Sequence, residues 1–195
     1  LDGTTNFIYS IPHLSISIAL EKNNEIISAG VYQPLTDEFF WAVKGKGAFC
    51  NNLRIRVSNK ENFKDCMIGT GIPHNGMPGH QEYIPGLQKI MSEVSGIRRM
   101  GAASLDLTYV AAGRFDGYWE KNLKIMDIAA GSLIVKEAGG SVTDFNGKED
   151  YLKNGKIVAT NFKIHNKLLS MIWIKFQSKS RQNSLFEIPE ISELS

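Results

Sequence analysis

The stretch Asp127-Ile128-Ala129-Ala130-Gly131-Ser132-Leu133-Ile134-Val135-Lys136-Glu137-Ala138-Gly139-Gly140 reads as a helix ending on a paired-glycine stop. Ala130, Leu133, Ile134 and Ala138 recur at helical spacing, so the helix is expected over residues 127–138. Around it, strands and helices alternate. Residues 66–69 read as a short strand and 80–94 as a helix, with Pro85 tolerable in a first turn or at a kink. Residues 104–112 read as a helix with Leu105, Tyr109 and Ala112 on one side and Ser104 as a candidate cap. Residues 115–120 and 156–160 read as strands and 164–174 as a closing helix.

The first half has a different rhythm. Residues 14–18 alternate apolar and polar, the pattern of a half-buried strand. Asn23-Asn24 turns the chain into a second strand at 26–32, which Pro34 ends; a third follows at 39–43 before the Gly45-Lys46-Gly47 turn. Within that third strand, Phe39-Phe40-Trp41 reads as core. This is an antiparallel meander. The sum is an α/β (α+β) layered protein with a mixed sheet and helices outside it. A polar tail from Gln177, carrying Pro189, is expected to be disordered, which leaves residues 1–176 as one folded region.

Composition narrows the class. Of 195 residues, 43% are hydrophobic and 22% charged, ordinary for a globular domain. A net charge of +2 gives no reason to expect nucleic acid. The richest apolar run, residues 168–176, is broken by Ser170 and Lys175, so no membrane span and no targeting leader are expected. Cys50 and Cys66 match no metal or redox spacing and suit a reducing, cytoplasmic compartment. The chain opens on Leu1 rather than methionine, so a longer natural protein is expected.

Three carboxylates carry the chemistry. Asp2 opens Asp2-Gly3-Thr4-Thr5, where Gly3 lets backbone approach a ligand and successive N–H groups can hold an anion. A carboxylate beside an anion site can hold the hard cation that phosphate chemistry needs, and Thr4 can orient a water. An ordinary Asp-Gly turn explains the same residues. Asp127 opens its helix, where the positive helix end keeps a carboxylate ionised, as a metal ligand requires; a plain helix cap explains it equally. Glu120 ends a strand beside a helix start, where open sheets bind ligands and where a carboxylate could accept hydrogen bonds from a polyol. The alternative is an exposed strand-end charge. His13, His74, His80 and His165 fall at no metal-ligand spacing and read as surface or loop residues. Arg98-Arg99 could meet phosphate or a dimer partner, although solvated charge fits as well.

Three segments in order carry a resemblance. Leu1-Asp2-Gly3-Thr4, then Gly101-Ala102-Ala103-Ser104-Leu105-Asp106 with Tyr109 to Gly117, then Asp127-Ile128-Ala129-Ala130-Gly131 with Glu137-Ala138-Gly139-Gly140 resemble the inositol monophosphatase family over nearly all of the chain. The resemblance implies the layered sandwich of that family and of the fructose-1,6-bisphosphatase-like superfamily, lacking its N-terminal helices. It implies Mg²⁺ as cofactor, an inositol phosphate substrate and a homodimer. It implies that Leu1 (through its carbonyl), Asp2 and Asp127 ligate metal, and that Gly3 and Thr4 bind phosphate. Ala103, Glu120 and Asp127 would hold the substrate. Two departures stand out. Met126 occupies a position usually held by tryptophan and is expected to fill the same apolar space. The upstream glutamate and the Asp-Pro aspartate that complete the family's metal site precede Leu1, so this chain alone is expected to be inactive. Rival readings keep the chemistry on a nucleotide bisphosphate, fructose bisphosphate or histidinol phosphate, or make the scaffold a non-catalytic regulatory protein.

Overall fold

The computed structural model describes residues 1–73 and 79–173. A short helix, α1 (Thr4–Ile8), leads into a meander of β1 (Ile16–Lys22), β2 (Glu25–Gln33), β3 (Glu38–Val43), β4 (Gly47–Cys50) and β5 (Leu53–Ile55). These strands pair in chain order, each antiparallel to the next. Asn23 and Asn24 sit at φ 54° and 61°, the left-handed pair that a tight two-residue hairpin needs.

The second half contributes β6 (Met67–Thr70), α2 (His80–Met91), β7 (Gly96–Arg98), α3 (Ala103–Ala111) and β8 (Gly117–Glu120). It continues with α4 (Ile125–Glu137), β9 (Gly140–Thr143), α5 (Tyr151–Asn154), β10 (Ile157–Asn161) and α6 (His165–Trp173). Its sheet has the order β7-β6-β8-β10-β9. Strand β6 runs parallel to both neighbours, and β10 antiparallel to both of its own.

Helices α3 and α4 lie between the two sheets, each packed against β2 and β10. That position explains their composition. Every residue from 128 to 135 is buried, so α4 is apolar around its whole circumference rather than along one stripe. Gly131 is the point of closest approach: a Cβ there would stand 2.5 Å from Leu107 Cβ. Helices α2 and α6 cover the other face of the second sheet through Tyr83, Ile90, Leu168 and Met171 against Ile68, Trp119 and Val158. The layers therefore run sheet, helix pair, sheet, helix pair.

Several expectations need correction. Strand β1 starts at Ile16, and its apolar row faces outward: Ile16, Ile18 and Leu20 are 46%, 68% and 56% exposed. Of the Phe39-Phe40-Trp41 run only Phe40 is core; Phe39 is exposed and Trp41 stacks on Phe49 at 4.5 Å. Pro85 stands inside α2, beyond its first turn. Met126 is exposed and fills no interior space. His13 and His165 are buried, the latter between the hydroxyls of Thr143 and Thr160 at 2.9 Å each. The short strands β4, β5, β7 and β9 went unread in the sequence. His74, the His80 side chain, the end of the closing helix at Ile174 and the tail from Gln177 lie outside the described residues. Among the described residues no helix is long and apolar enough to cross a membrane.

Gly131→Ala is expected to push α3 and α4 apart and to cost about 1–3 kcal/mol of stability, the usual range for overpacking. Urea unfolding measures it; an unchanged midpoint would show that the helices yield at no cost.

Candidate active site

Asp2 is fixed from two directions. Its backbone N–H donates to Ser15 O at 2.8 Å and its carbonyl accepts from Ser15 N–H at 3.0 Å. Its Oδ2 accepts from the Ser104 backbone N–H at 2.7 Å and from the Ser104 hydroxyl at 2.6 Å, and its Oδ1 accepts from Gly3 N–H at 2.8 Å. Ser104 is therefore no helix cap; it sits inside α3 and tethers the carboxylate. Gly3 is required where it stands. It holds φ 81°, and a Cβ there would meet His13 O at 2.8 Å. Asn6, buried in α1, closes the arrangement by donating Nδ2 to His13 O at 2.7 Å and to Met100 O at 2.9 Å.

Asp127 comes from α4. The helix starts two residues before it, and its Oδ2 accepts from Lys124 N–H at 2.8 Å. It is thus a helix-capping side chain as well as a member of the cleft. Burial raises its carboxyl above the ordinary aspartate value, and Asp2's charge adds to this while the Lys124 bond opposes it. The expected depression by the positive helix end is outweighed.

Glu120 ends β8, half-buried rather than exposed. Burial pushes its carboxyl up to about 7. The Tyr118 hydroxyl donating to Oε2 and the Arg99 guanidinium pull it back, while Asp2 and Asp127 raise it further. Gly71 makes room: a Cβ there would fall 1.9 Å from the Glu120 carboxyl carbon.

One cleft of about 490 Å³ gathers Asp2, Ala103, Glu120 and Asp127, with Thr5, Gly71, Arg99, Gly101 and Leu123. Leu1, Gly3 and Thr4 flank it without lining it; Thr5 lines it instead of Thr4. Arg99 faces the cleft and Arg98 does not. Gly71, Ser104 and Tyr118, which touch the cleft carboxylates, are not singled out as site residues by the sequence. Nothing local marks Gly71, and the place of Ser104 near a helix start fits a cap equally well.

Among the described residues no three His, Cys, Asp or Glu side chains converge as a metal cage. The donors that are present still suit Mg²⁺. They are hard carboxylate oxygens, and the mutual repulsion of Asp2 and Asp127 is what a divalent cation relieves. Mg²⁺ commonly takes one or two carboxylates and completes its shell with water and substrate phosphate.

The geometry has close counterparts. The family model described as the inositol monophosphatase family matches residues 1–177. The inositol-1-monophosphatase of Rhizobium meliloti (strain 1021) is 51% identical over 179 residues, which cover 92% of this chain and 67% of that protein. The Nus factor SuhB of Pseudomonas aeruginosa is 45% identical over 174 residues, 88% of this chain and 64% of its own. The crystal structure of extragenic suppressor protein suhB from Bartonella henselae superposes with a TM-score of 0.87 at 50% identity, covering 89% of this chain and 67% of that one. The chain thus spans about two thirds of the length of these relatives.

A pH dependence follows from Glu120. Between the ordinary 4.5 and about 7, the folded, metal-free protein keeps a proton that the unfolded chain has released. Unfolding free energy is therefore expected to fall as pH rises through that window. Urea midpoints measured in a chelator should decline across it in the wild type and decline less in Glu120→Gln. Equal slopes would remove the raised carboxyl from the account.

Proposed function

The chain belongs to the inositol monophosphatase family, and from that premise we propose that it carries most of the active site of a Mg²⁺-dependent phosphomonoesterase acting on myo-inositol monophosphate. The observation that carries this reading is the single cleft that Asp2, Glu120 and Asp127 all line. Residues 1–176 form its catalytic region, working in the cytoplasm as a homodimer on a small-molecule phosphate ester, without nucleic acid or membrane.

In this reading the Leu1 carbonyl would help to hold one Mg²⁺, and Asp2 and Asp127 would hold a second. Once bound, one ion would lower the pKa of a water and the other would stabilise the leaving alkoxide. The protein's own work is position. Ser104 keeps Asp2 aimed into the cleft through two hydrogen bonds. Gly3 and Thr4 offer N–H groups and a hydroxyl to the phosphate, and Thr4 orients the attacking water. Ala103, through its backbone, and Asp127 contact the sugar alcohol. Glu120 accepts hydrogen bonds from its hydroxyls, and Tyr118 holds the Glu120 carboxylate in place. No covalent phospho-enzyme is needed, because in-line attack by a held water requires only alignment and charge.

Relatives named Nus factor SuhB, such as that of Pseudomonas aeruginosa, favour a second reading. In it, the scaffold serves as a regulatory protein and its surface, not the cleft, is the working part. The two readings separate by assay of the natural full-length protein.

With Mg²⁺, turnover is expected to be highest on inositol 1-phosphate in a panel with fructose bisphosphate, a nucleotide bisphosphate and histidinol phosphate. Asp127→Asn should keep the fold, since the amide oxygen still accepts from Lys124 N–H. It should lower kcat/KM by about a hundredfold or more, because even outer-shell partners of a metal cost 10–100-fold. Activity within a few-fold of wild type would sink the ligand role. A full-length protein inert on the whole panel would favour the regulatory reading.

A further inference from the structure

Two buried polar atoms face each other without a hydrogen-bond partner among the described residues. His13 Nε2 and Asp106 Oδ1 stand 4.0 Å apart, on side chains 7% and 2% exposed. The gap exceeds hydrogen-bond length by about 1 Å. An orphaned polar group in the interior is costly, and here each orphan is the nearest remedy for the other.

Their places in the chain give the pair a job. Ser15 bridges Asp2 through its backbone, and its hydroxyl lies 2.8 Å from that of Ser104, which itself holds the Asp2 carboxylate. His13 precedes Ser15 by two residues, and Asp106 follows Ser104 by two. The two segments thus meet in successive rungs, serine on serine and then histidine on aspartate. The His13 ring is steadied edge-on against Tyr109 at 5.8 Å, and its carbonyl takes the Asn6 amide. Burial lowers the His13 pKa and raises that of Asp106, so both groups are favoured in their neutral forms: the ring has one N–H to give, and the carboxyl keeps an oxygen, Oδ1, that can accept it.

We propose that His13 and Asp106 are positioning residues. The His13 Nε2–H donates to Asp106 Oδ1, clamps the segment before β1 onto α3, and so holds Asp2 at its working angle in the cleft. The clamp's effect on metal rests on the reading of the preceding subsection; the hydrogen bond itself does not.

The test uses the natural full-length protein. In the wild type, the His13 imidazole N–H is expected as a slowly exchanging downfield proton resonance. It should persist in Asp106→Asn, whose amide oxygen still accepts, and vanish in Asp106→Leu. Binding of Mn²⁺, read by electron paramagnetic resonance, should weaken by about tenfold in Asp106→Leu and His13→Phe, the lower end of the effect of losing an outer-shell partner. It should recover in Asp106→Asn. A wild-type spectrum lacking the resonance overturns the proposal, as does wild-type Mn²⁺ affinity in Asp106→Leu. The wild-type spectrum alone decides the hydrogen bond should Asp106→Leu fail to fold. A resonance present in a wild-type protein that binds no Mn²⁺ would support the bond and overturn the metal reading instead.

Discussion

The Asp2 carboxylate takes two hydrogen bonds from Ser104, a residue 102 positions further along the chain. Charge-assisted bonds of this kind are short and directional, about twice the strength of neutral ones. They join the front of the chain to the helix layer, and the Ser15 bridge continues the join into the first sheet. The cleft exists because these contacts bring a residue from the N-terminal turn alongside Glu120 on β8 and Asp127 on α4.

That join needs a rigid support, and the helix pair supplies it. Helices α3 and α4 are buried between two sheets, so neither can slide without disturbing both. Gly131 against Leu107 sets how closely they approach. Dense interiors transmit small displacements rather than absorbing them. Asp127 and Ser104 are therefore fixed relative to each other by packing.

The carboxylates of the cleft were easier to pick out from the sequence than the residues that support them. Asp2, Glu120 and Asp127 stand in recognisable motifs, and all three line the cleft. Helix α4 was legible because its small apolar residues and glycine stop are local signals. Gly71 and His13 were not, since their surroundings depend on which distant segment arrives beside them, and of the Arg98-Arg99 pair the sequence could not say which one faces the cleft. Short strands such as β5 and β7, three residues each, carry no periodicity to read. The alternation in β1 gave the right period and the wrong face, because period alone does not say which side meets a neighbour. Ser104 and Asp127 show the same limit in two forms. Both lie near helix starts, where capping is the ordinary reading, and only the tertiary contacts separate the one that caps from the one that does not.

The outward row on β1 has a practical consequence. Ile16, Ile18 and Leu20 form a groove with Tyr32, Phe39 and Trp41 on the uncovered side of the first sheet. Strand β1 is also that sheet's edge, leaving a line of backbone amides and carbonyls open to pairing. Greasy surface beside an open ladder is the combination that makes purified proteins cling to one another and to vessel walls. Among the described residues this face, more than the net charge of +2, is the feature that favours association.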